Sequence, residues 1–216
     1  MIMLKGIITG DIIHSTKIEL ENRGVLLTTL KKIVTEISEN ISPIEMEIFR
    51  GDSFQIVISE VSEALRIVLL IRSGLQKNTL ETMKWDARVS LGIGKVEFEA
   101  NSIVQSDGEA FHNSGRQFDE MGKTEKMVLR TPWEEFNNEF RVSTAFADEL
   151  ISNWSIVQAE AIYYWLLKNI SQRELAEMLQ KSPQTINKRL LTANYGLIEL
   201  YLNRYKQLLK EQIEWK

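Results

Sequence analysis

The sequence predicts an α+β protein: a ferredoxin-like split βαβ sheet domain followed by an all-α domain with a helix-turn-helix. Three observations lead there. From Leu4 to Val96 the apolar residues switch between strand and helix periods in the order β-α-β-β-α-β. From Val142 onward the pattern is helical throughout. Within that stretch two consecutive helix-start signals, at Ser171 and Ser182, enclose one short helix.

Each element has its own reason. Leu4–Ile13 is rich in isoleucine and reads as a buried strand. Leu26, Leu30, Ile33, Val34 and Ile37 recur at helical spacing, and Ser42-Pro43 breaks that helix after Asn40. Glu45–Phe49 alternates polar and apolar, Phe54–Ile58 follows, and Arg50-Gly51-Asp52-Ser53 between them makes a hairpin. Ala64, Leu65, Val68, Leu69, Ile71 and Leu75 give a second helix. Val89, Leu91 and Ile93 share one face of a fourth strand over 87–96. The order is that of the split βαβ unit, an antiparallel sheet with two helices on one face. A helix around 110–121 and a strand at 126–129 extend it. Thr131-Pro132 marks a boundary region, so two domains are expected, 1–141 and 142–216. The second should hold helices near 143–153, 156–168, 172–179, 183–195 and 197–213, with the last break at Gly196 reading as a break or a kink.

Composition narrows the function. The chain has 216 residues and no cysteine, which excludes a disulfide framework, a zinc finger and a cysteine nucleophile. The longest apolar stretch, Ala64–Ile71, contains Arg66 and is far shorter than a membrane span. The apolar run near the N-terminus is soon interrupted by Asp11. A soluble cytoplasmic protein with no membrane partner is expected. Net charge is −4 but uneven: residues 1–150 carry 17 Lys+Arg against 24 Asp+Glu, residues 151–216 carry 9 against 6. A basic tail on an acidic body suggests a polyanion partner for the tail.

Ser171 with Glu174 forms a capping-box pattern, and Leu175, Ala176 and Leu179 face inward. Ser182-Pro183 reads as N-cap and first helical position of the next helix, where Ile186, Leu190 and Ala193 form the buried stripe. Gln184, Thr185 and Lys188 point away from that stripe, with Asn187 and Arg189 on its flanks. Gln and Asn bond adenine bidentately, Lys reaches guanine, and a flanking Arg suits phosphate. Ser182, Gln184, Thr185, Asn187, Lys188 and Arg189 are therefore the candidate contacts to double-stranded DNA. The segment 171–190 resembles the helix-turn-helix of sigma-factor and LuxR-type regulators, except that Gln180 stands where many such motifs place Gly at the turn. An ordinary helical pair in an interaction domain is the alternative. Ile198, Leu202, Tyr205, Leu209 and Ile213 recur at near-heptad spacing, which fits either a homodimer seam or the cover of the helical core.

The first strand ends in Thr9-Gly10-Asp11-Ile12-Ile13-His14-Ser15-Thr16. In a split βαβ fold it pairs with the strand after the hairpin, which brings Asp11 and Asp52 to one edge. Two carboxylates beside the backbone carbonyl of Ile12 suit Mg²⁺, completed by a ligand's phosphates. The turn Ile13, His14, Ser15, Thr16 can offer backbone N–H groups to those phosphates. Gly51-Asp52 is otherwise a plain hairpin turn.

Asp11 with Asp52 on this strand order resembles class III nucleotide cyclases and, more loosely, the GGDEF diguanylate cyclases. The whole chain looks like the SatD family, on Gly10-Asp11-Ile12-Ile13-His14-Ser15, Gly51-Asp52-Ser53-Phe54-Gln55 and Asp107-Gly108-Glu109-Ala110-Phe111-His112. In that family a cyclase-like domain precedes a helix-turn-helix. The cyclase resemblance implies that Asp11 and Asp52 bind metal and that Arg116 stabilises transition-state charge, acting across a dimer. The ribose-orienting Asn of cyclases falls on His112, with Asn113 adjacent, and the base-selecting Lys falls on Ile48. The metal half of the cyclase pattern is present and the base-reading half departs from it.

The first expectation is a DNA-binding transcriptional regulator whose cyclase-like domain binds a nucleotide with Mg²⁺ as effector. The alternative is a nucleotide triphosphate cyclase or pyrophosphate lyase with an accessory helix-turn-helix, Arg116 then being catalytic. A third is a protein-interaction adaptor.

Overall fold

The computed structural model describes residues 4–80, 83–100 and 102–214. Its fold is α+β. Five strands, β1 (Leu4–Ile12), β2 (Ile44–Phe49), β3 (Ser53–Ile58), β4 (Ala87–Lys95) and β5 (Met127–Arg130), form one sheet in the order β2-β3-β1-β4-β5. The β2/β3, β3/β1 and β1/β4 pairs are antiparallel, and β5 lies parallel to β4 at the edge. The described helices are α1 (Leu20–Asn40), α2 (Ala64–Lys77), α3 (Glu109–Glu120), α4 (Glu134–Ser152), α5 (Ile156–Lys168), α6 (Gln172–Met178), α7 (Pro183–Thr192) and α8 (Tyr195–Glu214).

Alternation along β1 assigns the two faces of the sheet, because successive side chains point to opposite sides. A Cβ on Gly6 would meet Ala64 of α2 at 3.1 Å, so Gly6, Ile8, Gly10 and Ile12 look towards α2. Thr9 accepts a hydrogen bond from Ser114 of α3 at 2.8 Å, so Lys5, Ile7, Thr9 and Asp11 look the other way. α3 presses closely on that second face. A Cβ on Gly92 would stand 2.3 Å from the Ala110 carbonyl and the Ser114 amide, both backbone atoms. Only glycine permits that approach.

α2 is buried on all sides except at Arg66 and Lys77. A helix apolar all round needs cover on every face, and the tail supplies it: a Cβ on Gly74 would meet Ile33 of α1 and Tyr163 of α5 at 2.9 Å. One contiguous core runs from Ile8 on β1 through α2 to Leu209 on α8. The boundary expected between residues 141 and 142 falls inside α4, which starts at Glu134 rather than near 143. Two features start it early. The Asn137 side chain brackets Thr131, accepting from its amide at 2.8 Å and donating to its carbonyl at 2.8 Å. Phe136 and Phe140 stack at 4.6 Å and are both buried. With only these two apolar residues in its polar first turns, the helix is faint in sequence.

A buried charged network ties α4 to the sheet. The Arg72 guanidinium is fully buried and donates to Asp86 at 3.0 and 2.8 Å and to Asp148 at 2.7 Å. Gln76 also donates to Asp86, at 3.1 Å. The Asp148 carboxylate caps the start of β5, accepting from the Lys126 and Met127 amides. The Asp86 carbonyl accepts from the Ile13 amide at 3.0 Å, so this network also anchors the turn after β1.

The near-heptad stripe of α8 covers the chain's own core. Ile198, Leu202, Tyr205 and Leu209 are buried, and the Tyr205 hydroxyl donates to the Val61 carbonyl at 2.8 Å. As a dimer seam that stripe is corrected: of its members only Ile213 is exposed. The break before α8 is real, but it lies at Asn194, with φ 57°, and Gly196 is inside the helix. Among the described residues no helix is long and apolar enough to cross a membrane.

Candidate functional site

The antiparallel register places Asp11 of β1 opposite Ser53 of β3 on one side and Arg88 of β4 on the other. Asp52 precedes Ser53, and its carbonyl accepts from the Ile12 amide at 3.2 Å. The two carboxylates therefore share one end of the sheet. Gly10 is required beside them, because the Phe54 ring lies 2.6 Å from where its Cβ would be. Arg50 (φ 52°) and Gly51 (φ 87°) turn the hairpin through the left-handed region.

The electrostatics are uneven. Burial pushes the Asp11 carboxyl up; the Arg88 guanidinium opposes that, and the Asp52 charge adds to it. Asp11 Oδ1 is buried and has no hydrogen-bond partner among the described residues. A buried carboxylate oxygen without a donor is costly, and the Nε of Arg88, opposite Asp11 on β4, is likewise buried without an acceptor among the described residues. Asp52 accepts from the Ser15 hydroxyl at 2.5 Å. Among the described residues no set of three or more His, Cys, Asp or Glu side chains converges on a metal position. The carboxylates at this end are those of Asp11 and Asp52, and Mg²⁺ is an ion that takes few protein ligands and completes its shell with water or phosphate.

The turn after β1 has its own geometry. The Ile13 amide is committed to Asp86, while the amides of His14, Ser15 and Thr16 make no hydrogen bond among the described residues. His14 has φ 56° and opens a short 3-10 turn over Ser15–Lys17. Successive free N–H groups after a left-handed residue form a concavity suited to an anion. Next to it, Ser15, Thr16, Arg23, Arg50 and Asp52 line a cleft of about 390 Å³ between the turn, α1 and the hairpin tip.

Arg116 is exposed on α3 and has no ion pair among the described residues, with Asp119 and Glu120 or otherwise. No described contact joins it to Asp11 or Asp52. His112 is exposed and lies 3.1 Å from Asp107. Asn113 donates to the Ile93 carbonyl at 2.8 Å, a bond that holds α3 on β4. Ile48 packs partly buried against the core.

At the other end, Ser171 and Glu174 form the full capping box, and the Ser182 hydroxyl accepts from the Thr185 amide at 3.2 Å. Gln180, with φ 52°, takes the left-handed conformation that Gly usually supplies at such a turn. Ile186, Leu190 and Ala193 are buried; Ser182, Gln184, Asn187 and Lys188 are exposed and Thr185 is half-buried. Arg189 differs from the expected phosphate contact. Its guanidinium donates to Glu160 of α5 at 2.9 Å, with only 15% of the side chain exposed. The C-terminal end of α7 is tied to the body: the Ala193 carbonyl accepts from the buried Trp154 indole at 2.9 Å. The carbonyls of Trp154 and Ser152 in turn accept from Lys84.

Sequence reading missed Arg88, Arg23 and Arg50. The β4 period does put Arg88 on the face opposite Val89 and Leu91, but its position beside Asp11 depends on register. Arg23 and Arg50 meet only through the tertiary fold.

No family model matches the chain, and no curated protein matches it. Among solved structures it is similar to a bacterial light-regulated adenylyl cyclase at 20% sequence identity, over 60% of this chain and 76% of that one, with a TM-score of 0.46. That likeness is too weak to bear on function.

Proposed function

We propose that the chain is a DNA-binding transcriptional regulator. On this reading a ferredoxin-like, cyclase-like body binds a nucleotide with Mg²⁺ as effector, and a helix-turn-helix reads double-stranded DNA. The observation that carries it is Asp11 Oδ1: a buried carboxylate oxygen without a donor, beside a second carboxylate and three uncommitted amides. Asp11, Asp52 and the Ile12 carbonyl would hold the metal, which supplies charge neutralisation for phosphate oxygens. The turn at His14, Ser15 and Thr16 would donate to the phosphates, with Ile13 fixing the turn through Asp86.

The output end is supported by α7. One face is buried and the other presents Gln184, Asn187 and Lys188, side chains that match base edges. The two ends are physically connected, since the turn after β1 and the α4–α5 junction both hang on Asp86, Arg72 and Asp148 or on Lys84 and Trp154.

Melting the full chain with ATP or GTP, with and without Mg²⁺, tests the reading. A ligand that binds only the native state raises its stability. The expected result is a Mg²⁺-dependent rise that Asp52→Asn abolishes, and a nucleotide-dependent change in retardation of duplex DNA. No Mg²⁺-dependent shift with any nucleotide would sink the effector half; no DNA binding at low salt would sink the other.

The second reading is nucleotide cyclisation with release of pyrophosphate. It is favoured by Arg88, whose cationic side chain stands opposite Asp11 where a triphosphate would need charge of both signs. Pyrophosphate release that is lost in Asp11→Ala would select it.

A further inference from the structure

The seam between α4 and α8 is tied by polar bonds yet presents an apolar face to solvent. The Thr144 and Tyr201 hydroxyls meet at 2.6 Å, and Arg204 donates to the two oxygens of Glu139 at 2.6 and 2.8 Å. Val142 and Phe146 stand one turn apart on α4, and Leu197 and Leu200 one turn apart on α8; all four are between 54 and 72% exposed. This is a different face of α8 from the buried Ile198, Leu202, Tyr205 and Leu209.

Between the two helices lies a hollow of about 280 Å³ whose walls include Phe146, Ala147, Leu150, Leu197 and Leu200. Arg204 is the charged side chain of that lining, and Glu139 already neutralises it. The hollow therefore offers no unpaired charge by which a charged partner would be chosen. Single exposed leucines are ordinary on a protein surface, but four large apolar side chains gathered round one hollow make a patch. They leave roughly 400 Å² of apolar surface in water, taking a large side chain as about 200 Å², which is in the range of the largest patches that monomers carry. Two copies facing each other would cover roughly 800 Å² with these side chains alone, about two-thirds of the roughly 1,200 Å² at which specific interfaces begin. The half-buried Ser143, Leu150 and Arg204 of the same lining add to it.

The patch is also complementary to itself. Phe146, the most exposed of the four, is a projecting ring that borders the hollow. The hollow is larger than the roughly 150 Å³ cavity that takes up benzene. A surface that carries both a knob and a hole can pair with its own copy about a two-fold axis. We propose that the exposed α4–α8 face is an isologous interface with a second copy of this chain, each copy's Phe146 ring entering the other copy's hollow. Ser182, Gln184, Asn187 and Lys188 of α7 lie outside the lining of this hollow. The inference is independent of the metal, nucleotide and DNA readings above.

Sedimentation velocity of the full chain across the micromolar range tests it, with Phe146→Asp and Leu200→Asp as variants and Ile213→Asp as the control. Both variant positions are exposed, so each protomer should keep its fold, which circular dichroism checks; Phe146→Ser, which removes the ring without adding charge, decides if an aspartate variant fails to fold. Ile213 is also an exposed apolar residue of α8, but about 20 Å along the helix from Leu200. The expected parent is a dimer whose melting temperature rises with protein concentration. Each aspartate should raise Kd about thirtyfold per copy, and so about a thousandfold for the symmetric pair, while Ile213→Asp leaves the dimer intact. A parent that stays monomeric throughout the range overturns the proposal, as does a dimer that survives both Phe146→Asp and Leu200→Asp. Equal dissociation by Ile213→Asp overturns it too, since the association would then be unspecific. Open-ended aggregates that Phe146→Asp dissolves would mark a head-to-tail contact and end the two-fold pairing.

Discussion

Arg72→Met removes the charge that joins α2, the start of β4 and α4. Met is an unbranched residue that can fill much of the vacated space, so the loss is mainly electrostatic. Four hydrogen bonds disappear: two to Asp86, one to Asp148 and one to the Ser152 hydroxyl at 3.1 Å. Simple addition would overstate the cost, because neither carboxylate is left bare. Asp86 keeps Gln76 and the Ala87 amide at 2.9 Å, and Asp148 keeps the Lys126 and Met127 amides. What remains is two buried negative charges without their cation, the situation that costs about 3–5 kcal/mol when one partner of a buried pair is removed. Set against a total stability of about 5–15 kcal/mol, that is a large share. Urea unfolding at pH 7.5 measures the loss from the midpoint at constant slope. A loss under about 1 kcal/mol would refute the buried charge-bridge account.

Four other outcomes are expected. Gly92→Ala drives a Cβ into the α3 backbone at 2.3 Å and should cost about 1–3 kcal/mol or more; an unchanged melting temperature would contradict the seating of α3 on β4. Burial lowers the Lys84 ammonium to about 8. Its folded value is below its unfolded one, so that contribution to stability rises as pH climbs from about 8 towards 10.5. Because Lys84 is about half exposed, screening limits the gain to roughly 1–2 kcal/mol. The stability gap between parent and Lys84→Met should widen between pH 7.5 and 9.5, and a gap that stays constant would contradict the lowered Lys84 value. Lys188→Ala should weaken specific DNA binding by about 1–3 kcal/mol if it bonds a base, seen as a shifted retardation midpoint. Arg189→Ala should instead lower stability by about 1 kcal/mol, because Arg189 is paired with Glu160; unchanged melting with uniformly weaker DNA binding would show that it reaches phosphate.

The strand order of the first four strands was legible because each strand has a clear period and Arg50-Gly51-Asp52-Ser53 is an unmistakable turn. Both caps in the tail were legible for a similar reason: Ser171 with Glu174, and Ser182 with Pro183, are local devices whose chemistry is complete within four residues. The start of α4 was not, since it depends on Asn137 reaching back to Thr131 and on two phenylalanines meeting Tyr205 from α8. The α8 stripe shows the limit of periodicity. Ile198, Leu202, Tyr205 and Leu209 announce an apolar face without saying what covers it, and here α2, α4 and the turn at Val61 do.

The candidate site divides along the same line. Asp11 and Asp52 could be paired from topology alone, because neighbouring strands and a hairpin bring them to one edge. The arginines could not, since sequence carries no register. Arg88 is beside Asp11 only because β4 pairs with β1 in the register Asp11↔Arg88; a slip of one residue would put Arg88 on the opposite face, among the apolar side chains. That register is held by features that look structural. Gly92 and Gly94 admit α3 to the second face, and Ser114 bonds both Thr9 and the Ser90 carbonyl. The residues that seat α3 therefore also set the charge beside Asp11. A loss of metal binding in a variant at Gly92 or Ser114 would reflect a displaced Arg88 before it reflected any contact with the ligand.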